Sequence, residues 1–176
     1  MTNPVGGLNR VKQERYARAH ERLSLALSHG FYIEAAMICE SIITDRLHSH
    51  LHWRVTAAGT LSPNVVKENG LRGKLDFEGH GNLGLLIRIL ELDFDHLGNT
   101  RYQELPARLD DWRALRNRVA HGMTYTSPAN KSYATDFDAF LQLAEQCATE
   151  GRPLVSCLND CDRALRRRHR AATSIS

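Results

Sequence analysis

Between Asp110 and Gly122 the chain reads Asp110-Asp111-Trp112-Arg113-Ala114-Leu115-Arg116-Asn117-Arg118-Val119-Ala120-His121-Gly122. It gathers a titratable imidazole, guanidinium forks and a neutral amide within a few helical turns. Asn117 and His121 are four residues apart, so they project from one helix face, one turn from each other. Arg116 and His121 are five apart, about 140° around a helix axis, and do not stack directly. A long guanidinium stem can still swing toward the imidazole where the helix ends at Gly122. These are the parts that cleave RNA without a metal. His121 takes or gives the proton of the 2′-hydroxyl or of the leaving oxygen, and Arg116 holds the phosphate as negative charge builds. Arg113 and Arg118 add positive charge for the RNA backbone. A plainer reading stays open, because His and Arg in a last turn also meet the negative end of the helix dipole.

Other chemistry-bearing clusters are weaker. Arg163, Arg166, Arg167, Arg168 and Arg170 form a basic stretch over residues 163–176. Arg166, Arg167 and Arg168 are candidate phosphate contacts, against the alternative of a solvated helix end fraying into a tail. His48 and His52 lie one turn apart in His48-Ser49-His50-Leu51-His52 and could share a zinc or nickel ion. A site needs a third or fourth ligand, and the spacing suggests none, so these histidines read as a polar helix face. The 4 cysteines, Cys39, Cys147, Cys157 and Cys161, lack zinc-finger spacing and read as reduced thiols of a cytoplasmic protein. Trp53 and Tyr32 read as core residues.

These residues must be held by helices. The 176 residues are 42% hydrophobic, which suits one globular domain with a real core. A formal charge of +3 is too mild for a protein that coats DNA. The opening residues are polar and Gly-rich rather than basic and then apolar, unlike a secretory leader. The apolar stretch around 83–92 is interrupted by Arg88 and too short to cross a bilayer. Helical periodicity predicts a first helix over 8–29, ended by Gly30, and a second over 31–57. The inward stripe of the second is Ile33, Ala36, Met37, Glu40, Ile43, Leu47 and Leu51. Glu40 is the odd member, since an acid on a core-facing stripe needs a partner.

Residues 59–81 read as an irregular, Gly-punctuated insertion. Further helices are expected over 83–92, 102–121, 135–149 and 154–170. Pro106 is tolerable in the first turn of the second of these. Gly151 and Pro153 are expected to separate the last two. No stretch shows strand alternation. The expected fold is all-α, an antiparallel bundle of five to six helices.

Arg116, Asn117 and His121 fill the three positions of Arg-Asn-x-x-x-His closing a core helix, and this resembles the signature of the HEPN superfamily. The run Gly30-Phe31-Tyr32-Ile33-Glu34-Ala35-Ala36 is similar to the first hairpin of that family. The resemblance extends from the first helix through His121 and into the next. It implies a homodimer in which two signature helices face each other, so that Arg116 of one chain serves His121 of the other. It further implies a metal-independent endoribonuclease, without cofactor, of the kind found in toxin–antitoxin and phage-defence systems, with RNA and an antitoxin or other defence protein as partners. Asn117 orients the pair, and Glu40, Asp45 and Arg46 stand where second-helix polar residues support the signature. Other members are inactive and bind RNA, nucleotide or protein, which is the alternative here. One departure is Met123 at the position where antitoxin-modified members carry tyrosine; the nearest is Tyr125.

Overall fold

A computed structural model describes residues 4–56, 82–98, 101–122 and 137–174. These residues are all-α, with five helices and no strand among them. The helices are α1 (Pro4–Ser28), α2 (Tyr32–Thr56), α3 (Leu83–Leu97), α4 (Leu105–Gly122) and α5 (Phe137–Thr173). The 59–81 insertion, Met123, Tyr125 and the Ser127-Pro128-Ala129-Asn130 loop lie outside the described residues.

The chain forms two compact units, one of Met1–Ile42 with Arg116–Gly151, the other of Ile43–Leu115 with Arg152–Ser176. The first unit combines α1 with the start of α2, the last turns of α4 and the start of α5. Its core holds Leu23, Ala26, Ala35, Ala36, Cys39, Val119, Phe140, Ala144, Cys147 and Ala148. The second combines α3 with the remaining parts of α2, α4 and α5. Its core is larger in side-chain volume, with Ile43, Leu47, Leu51, Leu90, Phe94, Leu109, Trp112 and Leu158 all buried.

Local sequence explains the helix ends. Gly30 adopts φ +72°, and the chain reverses there through Phe31 N–H donating to the Ala26 carbonyl at 2.8 Å and Gly30 N–H to that of Leu27 at 3.3 Å. This paired closure satisfies carbonyls a helix end otherwise leaves open, and the left-handed residue is one where a Cβ costs energy. Asn82 caps α3, its side-chain oxygen accepting from Gly84 N–H at 2.9 Å, and α3 runs past the expected 83–92 to Leu97 before Gly98 turns left-handed. Pro106 sits in the first turn of α4, where no intrahelical N–H is required.

One expectation is corrected. The break at Gly151 and Pro153 is absent, and α5 is one helix of 37 residues with Pro153 inside it. A proline in a helix interior costs about 3 kcal/mol. The buried series Phe140, Ala144, Cys147, Ala148, Gly151, Leu154, Val155, Leu158, Cys161 and Leu165 keeps helical period across it. Burying that stripe outweighs one lost hydrogen bond. The basic residues from Arg163 onward accordingly lie within α5 as far as Thr173.

Candidate functional site

Arg116 and His121 meet different environments on the last turns of α4. The Arg116 side chain is 17% exposed and pairs with Glu40 of α2. Glu40 thus finds the partner its place on an inward stripe demands. Burial pushes the Arg116 pKa down and the neighbouring Cys147 opposes that, yet a guanidinium keeps its charge under any such shift. Arg116 Nε is buried and has no hydrogen-bond partner among the described residues. Burial in turn pushes the Cys147 thiol up to about 11, against the pull of the Arg116 charge. That thiol is a packing group.

His121 is exposed and Asn117 half-buried, one turn apart on α4. Gly122, the last residue of α4, lies against α5. A Cβ there would come within 2.9 Å of the Phe140 ring, so this glycine is required for close approach. The surface beside it is apolar, with Phe137 69% and Leu141 38% exposed on the first turns of α5.

Arg118 is exposed in the first unit. Arg113, in the second, donates to Asp110 at 2.8 Å, and its guanidinium packs over Gly84 of α3. Asp45 is exposed. Arg46 is half-buried, its pKa pushed down by burial and back up by Asp162 and Asp45. Asp45 and Arg46 belong to the second unit, Glu40 and Arg116 to the first. Arg166 donates through Nε to both Asp162 oxygens at 2.9 Å and through Nη2 to the Ser49 carbonyl at 3.2 Å. It also lies 4.7 Å above the Trp53 ring, so it is built into the fold. Arg167 and Arg168 are exposed. Trp53 and Tyr32 are half-buried rather than core, with the Tyr32 hydroxyl donating to Glu145 at 2.9 Å.

The second unit holds a cluster that the sequence reading missed. His50 is 1% exposed and Asp93 0%. His50 Nδ1 donates to Asp162 at 2.9 Å, and its Nε2 lies 3.6 Å from Asp93. Arg54 Nε donates to both Asp93 oxygens at 3.0 and 2.8 Å. Burial pushes the His50 pKa down, but its two carboxylate neighbours outweigh this and hold it above its ordinary value. Burial likewise pushes Asp93 and Asp162 up, and the cations His50, Arg54 and Arg166 bring both below the usual carboxylate range. The reading of His48 to His52 as a polar helix face is therefore wrong for His50, which is buried. Its position continues the stripe Ile43, Leu47 and Leu51, and Asp93 similarly interrupts the apolar run of α3. An ionisable residue at core spacing, the criterion that marked Glu40, would have marked both.

Among the described residues, no group of three or more His, Cys, Asp or Glu side chains is placed to hold a metal ion. No described helix is long and apolar enough to cross a membrane. Comparison with protein-family models, with curated proteins and with solved structures finds no match.

Proposed function

We propose that this chain is a metal-independent endoribonuclease of the HEPN type, acting as a homodimer through Arg116, Asn117 and His121. The observation that carries the reading is the contrast on one helix end between an accessible imidazole and a guanidinium tethered by a carboxylate. A proton-transfer group must reach solvent and substrate, whereas an electrostatic group works best when it does not move. His121 removes the proton of a 2′-hydroxyl as that oxygen attacks the adjacent phosphorus. The His121 imidazolium so formed gives its proton to the departing 5′-oxygen, and the products are a 2′,3′-cyclic phosphate and a free 5′-hydroxyl. Arg116 offsets the charge on the pentavalent phosphate, and Asn117 orients the group beside it.

The angular offset between Arg116 and His121 is resolved by a second copy of the chain, each supplying one member of a composite pair. Exposed Phe137 and Leu141, flanking the Phe140 ring that covers Gly122, give such a dimer apolar surface close to the motif. A toxin or phage-defence role follows from the same resemblance. The competing reading is an inactive module that binds RNA, nucleotide or protein. It is favoured by the Glu40 pairing, which already neutralises Arg116.

The test is cleavage of labelled single-stranded RNA and tRNA in EDTA by wild type and His121→Ala. Cleavage to cyclic-phosphate ends that is lost in the variant is the expected result. An equally active His121→Ala protein sinks the catalytic assignment. No cleavage by a folded wild-type dimer moves the assignment to the binding module.

A further inference from the structure

The second unit contains a cavity of about 420 Å³ lined by Arg101, Tyr102, Cys157, Asp160, Ala164 and Arg167. Its volume lies at the small end of the roughly 300–1,000 Å³ typical of small-molecule sites. Its chemistry is mixed in a particular way. Two guanidiniums, one carboxylate and one aromatic ring line it, with a methyl group and a thiol as the apolar remainder.

Arg101 lies 5.3 Å above the Tyr102 ring centroid, a cation–π approach that leaves the guanidinium's N–H donors for an acceptor. Arg167 donates Nε–H to the Arg163 carbonyl at 3.3 Å, which uses one of its five donors and steadies the rest. Two such forks in one small cavity suit a phosphate dianion. Asp160 argues against a ligand that is only an anion, because its carboxylate would repel it. It suits a ligand carrying hydroxyl donors near the phosphate. The Tyr102 ring and the Arg101 plane offer flat faces to a base.

We propose that this cavity binds a ribonucleotide unit, with the phosphate between Arg101 and Arg167, the ribose hydroxyls donating to Asp160 and the base against Tyr102. It does not depend on cleavage at the end of α4, since none of these residues belongs to that motif. The unit could be a free nucleotide or one nucleotide of an RNA strand.

The chain carries its own reporter. Cys157 is half-buried at the cavity wall, whereas Cys39, Cys147 and Cys161 are buried, and burial pushes the Cys161 thiol up to about 12. Iodoacetamide should therefore label Cys157 first in the native protein. Adenosine 5′-monophosphate and hexa-adenylate are each tested for protection of Cys157 and for calorimetric binding. Protection by the mononucleotide marks a free-nucleotide site, and protection by the oligonucleotide alone marks a strand-binding subsite. Arg101→Ala/Arg167→Ala, both at exposed positions, should weaken binding at least tenfold with an unchanged circular dichroism spectrum. Asp160→Ala should abolish the preference for ribose over 2′-deoxyribose. The proposal is overturned if neither probe protects Cys157 at millimolar concentration, if inorganic phosphate binds as tightly, or if the double arginine variant binds like wild type.

Discussion

Glu40 on α2 and Arg116 on α4 are ion-pair partners, so the acid on the inward stripe of α2 and the first residue of the Arg116-to-His121 motif stabilise each other. Both are mostly covered, with side chains 26% and 17% exposed. Charge-assisted bonds in such surroundings are worth about 1.5–3 kcal/mol.

Replacing Glu40 with Gln should lower stability by about 1–3 kcal/mol, because Arg116 is left half-buried without its counter-charge. Urea denaturation of Glu40→Gln, Arg116→Met and the double variant measures the coupling. Additive losses would mean that the pair contributes nothing as a pair.

Arg116 and His121 should separate in their effects on stability. His121→Ala removes an exposed side chain and should shift unfolding free energy by less than about 0.5 kcal/mol. Arg116→Ala should cost about 1–3 kcal/mol, since Glu40 loses its partner. Thermal melts of the two variants check this, and equal losses would contradict the different burial of the two residues.

The second unit should respond to pH from both sides. Asp93 and Asp162 titrate below the ordinary 3.8. Their contribution is present above that value and is lost as pH falls through their folded pKa values. His50 titrates above the ordinary 6.5. Its contribution is full below 6.5 and fades as pH rises through its folded pKa. The melting temperature should be highest between these limits and fall on the alkaline side. His50→Gln should lower that maximum and flatten the alkaline fall; an unchanged slope in the variant would remove His50 as its source.

Pro153 gives the protein room to be made more stable. Its side chain is exposed within α5, and Pro153→Ala restores an N–H for the Thr149 carbonyl. The helical gain of up to about 3 kcal/mol is reduced by roughly 1 kcal/mol because the unfolded chain becomes freer. A net rise of about 1–2 kcal/mol in denaturant unfolding is expected. A loss of stability would show that the proline shapes α5 in a way alanine cannot.

Much of this architecture is written locally. Gly30 after an apolar stripe, Pro106 at a first turn and the 3.6-residue spacing of Leu109, Trp112, Leu115 and Val119 depend on backbone sterics and helix period. Each can be read without knowing what the helix packs against. The same holds for placing Asn117 and His121 on one face. The continuity of α5 was not legible in this way. Gly151 and Pro153 are local stop signals, and only the burial of the stripe on both sides of them decides against a break.

Ion-pair partners were the least legible feature. Sequence spacing marked Glu40 as needing a cation without saying which one, because Arg116 lies far along the chain and meets it only when α2 and α4 pack. It also passed over His50 and Asp93, which the same criterion would have marked, and it could not name their partners, because those counter-charges come from other helices. The sequence by itself therefore determined the helices, most of their ends and the faces their residues occupy, all consequences of short-range stereochemistry. Tertiary structure alone decided which charges pair and which motif residues are buried or exposed, because packing distant segments removes water and makes each charge answer to its neighbours.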